Sequence, residues 1–175
     1  MNYLNEVQKS MKFLSKNKKT IFLGQSVFYP GSSIFVSLKD IPNKKKMELP
    51  VMEEAQMGIS IGLALEGYIP VSCYPRFDCL ILALNQLVNH ADKIDYLTNN
   101  KFNSKIIIRT LIGSTKPLDA GLQHTQDHTL ALKEMLKFSS VIRLKNSKTI
   151  LKSYKSIFKS KKKVFIFIED GNKYV

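Results

Sequence analysis

Five short apolar runs punctuate this chain: "TIFLGQSV" at 20–27, "YIPVSCY" at 68–74, "KIIIRT" at 105–110, "SVIRL" at 140–144 and "KVFIFIE" at 163–169. Continuous apolar runs, rather than polar–apolar alternation, belong to strands buried on both faces. Between the runs, apolar residues recur at three- and four-residue spacing, the mark of helices with one buried stripe. Residues 2–16 carry Tyr3, Leu4, Val7, Met11 and Leu14 in this way. Residues 53–66 read as a second helix, closed by Gly67. Residues 79–97 read as the longest helix, ending in "TNN", and "LALKEMLKF" as a short one. From 148 to 159, Ile150, Leu151, Tyr154, Ile157 and Phe158 share one face, with lysines elsewhere on the wheel. "YPGSSIF" and "DIPNKKK" carry loop chemistry, and "LIGSTKPLDAGLQHTQDHT" reads as a long irregular loop. Strands alternating with helices predict an α/β fold: a mostly parallel central sheet with helices on both faces. No repeat or long linker divides the 175 residues, which are read as one domain.

The net charge of +13 raises a nucleic-acid reading. Its distribution argues against one. Eight lysines lie between Lys145 and Lys163 with no acid among them, and four of these, Lys148, Lys152, Lys155 and Lys159, fall on what reads as the solvent face of a helix. The arginines are only Arg76, Arg109 and Arg143, whereas sequence-reading surfaces favour the bidentate arginine fork. No uninterrupted apolar window reaches the roughly 18 residues of a membrane span, and residues 1–20 lack the apolar core of a signal peptide. The two cysteines, Cys73 and Cys79, are too few for a disulfide framework or a zinc site. These features together lead to an expectation of a cytoplasmic protein without nucleic-acid or membrane partners.

Two places could carry chemistry. The first is "LPVMEEAQMGISIGLALEGYIPV" at 49–71, where Glu53 and Glu54 open a helix rich in small residues: Gly58, Ser60, Gly62 and Ala64. Glycine in a helix is about 1 kcal/mol worse than alanine, so something must approach closely. The sheet could do so, or a ligand or second chain lying by the carboxylate. The second is "GLQHTQDHT", with His124, Asp127 and His128. A metal site is poorly served by Asp127 as third ligand, proton transfer near neutrality suits a loop histidine, and a solvated loop needs neither.

Six segments in register, "TIFLGQSV", "LPVMEEAQMGISIGLALEGYIPV", "LALNQLVNHADKI", "IIIRTLIGS", "GLQHTQDHT" and "VIRLKNSKTILKSYKSIF…VFIFIE", resemble the pyrimidine-binding domain of thiamine-diphosphate enzymes. The likeness runs from about residue 3 to 170, towards the beta subunits of 2-oxo acid dehydrogenases and, more distantly, transketolases. It implies that Glu53 hydrogen-bonds N1′ of the cofactor's aminopyrimidine and favours the imino tautomer, whose 4′-nitrogen deprotonates the thiazolium C2. A carboxylate is needed there to share a proton with a ring nitrogen. Glu54 is then a helix-dipole acid. His124 matches a histidine at the active-site mouth, and His128 has no counterpart and reads as structural. Gly24 and Gln25, after the first strand, are implied to border the cofactor. The aromatic that stacks on the pyrimidine aligns with Cys79; Phe77, two residues earlier, could replace it on a strand but not on a helix.

The resemblance further implies a single pyrimidine-binding domain over residues 1–175. The C-terminal transketolase-type domain and the diphosphate-binding domain are expected to be absent, since the chain stops at Val175 and contains no Gly-Asp-Gly. Mg²⁺ and the diphosphate would then be held mainly by a partner, an alpha-type chain carrying a "GDG…N" motif, in a homodimer or heterotetramer. No metal site is expected in this chain. The implied activity is decarboxylation of a 2-oxo acid, or ketol or acyl transfer. The alternative is a catalytically degenerate domain kept for assembly or regulation, as Cys79 hints.

Overall fold

A computed structural model describes residues 2–116 and 119–174. Pro117 and Leu118, in the loop before His124, lie outside the described residues. Helix α1 (Tyr3–Ser15) starts on Asn2, whose side chain accepts from the Asn5 N–H, and leads into β1 (Thr20–Gly24). Helix α2 (Ser33–Ser37) and β2 (Lys46–Glu48) follow, then α3 (Glu53–Leu65) and β3 (Ile69–Tyr74). Next come the short helices α4 (Phe77–Leu80), α5 (Leu84–Gln86) and α6 (Ile94–Leu97), then β4 (Ile106–Ile112). The chain closes with α7 (Thr129–Met135), β5 (Ser140–Arg143), α8 (Ser147–Ser156) and β6 (Val164–Asp170).

All six strands are parallel, in the order β2-β1-β3-β4-β6-β5. Helices cover both faces, as the apolar runs require. One core joins α1, α2 and α8 to the sheet through Val7, Met11, Leu14, Ile34, Ile150 and Tyr154. The other sets Met57, Ala64, Leu80, Leu87, Ile94 and Leu132 against Ile106, Ile108 and Ile166.

Three expectations need correction. Ser33–Phe35, read within the loop segment "YPGSSIF", open helix α2, which is capped by the Ser32 hydroxyl accepting from the Phe35 N–H. Lys46–Glu48, read within a loop region, is an edge strand whose three residues are half-buried. It is too short for any periodicity to reveal. The single helix expected over 79–97 instead begins at Phe77 and is broken. A 3₁₀ turn at Ile81–Ala83 and a widened π turn at Leu87–Ala91 interrupt it. The widened turn carries Asp92 to the loop before β5, where its carboxylate accepts from the backbone N–H groups of Lys137, Phe138 and Ser139.

The strand order reverses between β1 and β3, since β1 leads outward to β2 while β3 begins the run to β4. In open parallel sheets, the carboxyl ends of the strands at such a reversal form the usual ligand crevice. Gly24, Tyr74 and the start of α3 all lie at that edge.

Candidate functional site

Glu53 is the first residue of α3, where the positive helix end favours a carboxylate. Its side chain is only 5% exposed despite its charge. Gln25, one residue past β1, donates from Nε2 to Glu53 Oε1 at 3.1 Å. The Tyr74 hydroxyl, ending β3, donates to the Glu53 backbone carbonyl at 3.3 Å. Oε2 takes none of the hydrogen bonds formed among the described residues. A depression of ≈ 470 Å³ opens beside it, lined by Met52, Glu53, Glu54, Ala55, Leu82 and Gln86. Glu54 points outward and accepts from Asn85 and Gln86 at 3.2 and 3.4 Å. The adjacent acids are thus divided: one buried and held by a loop glutamine, the other at the surface.

Gln56, one turn into α3 and fully buried, ties that helix to β3 by donating to Ser72 Oγ (3.0 Å) and the Cys73 carbonyl (3.1 Å). Gly24 fits beneath this tie. A Cβ there would lie 2.2 Å from the Cys73 carbonyl oxygen and 2.9 Å from Gln56 Nε2, and φ is +138°. Gly24 therefore serves the approach of β1 to β3, while Gln25 carries the contact with Glu53.

Phe77 begins α4 and is buried in the core. Its ring meets that of His128 edge-on, with centroids 5.4 Å apart. On a helix, positions two apart diverge by about 200°, so Phe77 does not point where Cys79 does; the strand geometry needed for it to replace Cys79 is not met. Cys79 is half-buried, and burial first, then the Glu53 carboxylate, push its thiol pKa up. Cys73 lies deeper, between the sheet and α2, and burial pushes its thiol up to about 11. Neither is an activated thiolate.

His124 ends a 3₁₀ turn, Leu122–His124, in the loop after β4, and its ring is exposed. Arg76 Nη1 donates to the carbonyls of both Ser114 and His124, each at 3.3 Å. Gln126 donates to Asp78 Oδ1 at 2.8 Å, and His128 Nε2 lies 3.5 Å from the same oxygen, too poorly aligned for a hydrogen bond. The loop bearing His124 is thus strapped to the start of α4. No hydrogen bond or ion pair among the described residues joins His124 to Glu53. Among those residues, no group of three or more His, Cys, Asp or Glu side chains is placed to hold a metal ion, and no helix is long and apolar enough to cross a membrane.

Three residues escaped sequence reasoning. Glu48 accepts from the N–H groups of Ser26, Val27 and Phe28 at 2.6–2.8 Å and so shapes the loop that presents Gln25. Arg109 and Glu169, inside apolar strand runs, form a fully buried bidentate pair at 2.8 and 2.9 Å. A lone charge in a strand of isoleucines was the available signal, since such a charge must be paired.

No protein-family model matches the chain. It is 30% identical over 145 residues to the pyruvate dehydrogenase E1 component subunit beta of Gracilaria tenuistipitata var. liui, covering 79% of this chain and 44% of that relative. It is 26% identical over 130 residues to the 2-oxoisovalerate dehydrogenase subunit beta of Bacillus subtilis, covering 72% of this chain and 39% of the relative. The chain thus spans less than half the length of these curated relatives. Among solved structures, a split-gene transketolase, an inactive β4 tetramer, superposes with TM-score 0.58 at 18% identity, over 94% of this chain and 50% of that one. A transketolase from Pichia stipitis gives 0.64 at 17% identity, over 93% and 25%. At these identities the structural likeness carries the fold alone. Relatives among dehydrogenase beta subunits and neighbours among transketolases are consistent with a pyrimidine-type domain of thiamine-diphosphate enzymes.

Proposed function

We propose that this chain is the pyrimidine-binding subunit of a two-chain thiamine-diphosphate-dependent enzyme acting on a 2-oxo acid or ketose. The observation that carries the reading is Glu53: a buried carboxylate at the strand-order reversal, with Oε1 held by Gln25 and Oε2 left for a ligand. That donor set fits a protonatable ring nitrogen. When bound, the cofactor would supply the nucleophilic carbon that attacks the substrate's carbonyl. Glu53 would hold a proton between Oε2 and the ring nitrogen, and Gln25 would fix the carboxylate plane. Cys79 would border the ring in place of Phe77, whose side chain belongs to the core. His124 would exchange protons with substrate from the strapped loop.

The domain reading, a lone pyrimidine-binding domain over residues 1–175, belongs to the same proposal. A partner chain would hold the diphosphate and Mg²⁺. Support for a partner comes from the outer side of α3, where Gly58 and Gly62 face open space and Leu65, Ile81 and Leu82 are exposed. Large apolar side chains left exposed beside small residues are the raw material of an interface, here in a homodimer or a heterotetramer.

The test is hydrogen–deuterium exchange at C2 of the bound cofactor, followed by turnover, with the partner present. Glu53→Gln keeps size but cannot share the proton, so exchange should slow by roughly 10²–10⁴-fold. Glu54→Gln should change stability by only about 0.3–1 kcal/mol and leave exchange alone. Wild-type exchange in Glu53→Gln would remove the assignment.

A further inference from the structure

At the carboxyl edge of the sheet, past the ends of β3 and β4, lies a recess of ≈ 250 Å³ lined by Gly31, Ser32, Ser33, Pro75, Arg76, Gly113 and Ser114. Its one charged wall is Arg76, two residues past β3 and half-buried. Among the described residues the guanidinium donates only through Nη1, to two backbone carbonyls. None of the ion pairs among the described residues includes it. The chain's other two arginines do have carboxylate partners: Arg109 pairs with Glu169 and Arg143 with Asp127. Ser33 lines the recess with a hydroxyl that takes part in no hydrogen bond among the described residues. A guanidinium needs acceptors when partly withdrawn from water, and two neutral carbonyls leave its charge and its other N–H groups unanswered. Glycines and serines line much of the remaining wall, leaving room for a compact group.

We propose that the Arg76 recess is a binding subsite for a small oxyanion, the carboxylate or phosphate of the substrate. This deepens the proposed function and rests on it for the substrate's identity. The recess and the Glu53 site share a loop: Gln25 bonds Glu53, and the same segment continues through Gly31, Ser32 and Ser33 into the recess wall. Cys79, three residues along the chain from Arg76, is close enough to both the Glu53 carboxylate and the Arg76 guanidinium for each charge to act on its thiol. An acid group in the recess would therefore orient the rest of a short substrate along the edge towards Glu53. The planar guanidinium fork suits a carboxylate or phosphate face.

Calorimetric titration of the full chain, without cofactor or partner, with inorganic phosphate and separately with a short 2-oxo acid, tests the subsite. Saturable binding of at least one anion is expected, and the tighter of the two identifies the substrate group. Arg76→Gln should weaken it at least tenfold. Because that change also releases the His124 loop, Ser33→Asp serves as the second variant. It leaves the Arg76 contacts in place, sets a negative charge in the recess, and should weaken binding as strongly. Glu53→Gln should not weaken it. No saturable binding of either anion, or binding indifferent to both Arg76→Gln and Ser33→Asp, overturns the subsite. Anion binding without Glu53-dependent cofactor exchange keeps the subsite and removes the proposed function; the opposite pair of results keeps the function and removes the subsite.

Discussion

Gln25 Nε2 lies 3.1 Å from Glu53 Oε1, joining the end of β1 to the start of α3 across 28 residues of sequence. The bond fixes one oxygen of a buried carboxylate and so sets the direction of the other. A hydrogen bond to a charged group contributes about 1.5–3 kcal/mol. Gln25→Ala should therefore lower cofactor C2 exchange in the assembled enzyme by roughly tenfold or more, less than Glu53→Gln does. Gln25→Glu should be the worse of the two, since it sets a second carboxylate against the first. Equal exchange in Gln25→Ala and wild type would show that the glutamine does not orient Glu53.

Gly24 makes a prediction about stability alone. Its φ of +138° and the 2.2 Å approach of a built Cβ to the Cys73 carbonyl leave no room for a side chain. Backbone strain of this kind costs about 1–3 kcal/mol, and overpacking a further 1–3. Gly24→Ala should lower the urea midpoint accordingly, whereas Gly58→Ala, with open space at its Cβ, should raise it slightly. A silent Gly24→Ala would mean that the β1–β3 spacing is looser than described.

How much of this was legible in the sequence varied with the physics. The five long strands and most of the helices over them follow from apolar runs and helical spacing, because burial on two faces leaves a compositional mark; the five-residue α2, opening in a Gly- and Ser-rich segment, is too short to show one. Lys46–Glu48 left none: an edge strand of three half-buried residues has no pattern to show. The break in the 79–97 helix was hidden because its cause is tertiary, the tie between Asp92 and a loop 45–47 residues away. At the site, the Glu53–Glu54 pair was visible, but not which acid is buried, since that depends on Gln25 and on Asn85 and Gln86 arriving from elsewhere. Phe77 shows the same limit, for its direction turned on whether the chain was strand or helix there.

The buried pair of Arg109 and Glu169 spans β4 and β6, with Tyr154 donating to Glu169 Oε1 at 2.8 Å, Tyr174 to Oε2, and Arg109 also reaching Ser37. Burial opposes the Arg109 charge, but the Glu169 carboxylate outweighs it and holds the guanidinium pKa well above its ordinary value. Burial and then Glu169 push Tyr154 the same way. Removing one member strands the other, which typically costs 3–5 kcal/mol. Glu169→Gln should therefore destabilise by about that much in chemical denaturation. Arg109→Met with Glu169→Leu should recover part of the loss, because no charge is then left unpaired. A double variant no better than the single would show that the tyrosine contacts, rather than the ion pair, carry the stability.

Asp92 contributes to the acid dependence of folding. Burial works to raise its carboxyl, but the Ser139 hydroxyl and the N–H groups of Lys137, Ser139 and Phe138 outweigh it and hold the pKa below the ordinary carboxylate range. In the unfolded chain the group titrates near about 3.9. Because the folded value is the lower one, the unfolded chain takes up the proton first as pH falls. The stabilisation is therefore complete above about pH 5 and drains away as pH drops through the folded value. Asp92→Asn removes the charge and leaves one oxygen to accept what the carboxylate now shares. It should cost about 1–3 kcal/mol at pH 7. The gap to wild type should narrow steadily below about pH 4, where wild type loses the same interaction by protonation. Urea denaturation of both proteins across pH 2.5 to 7 measures this directly. A gap that stays constant over that range would mean that Asp92 acts through shape rather than charge.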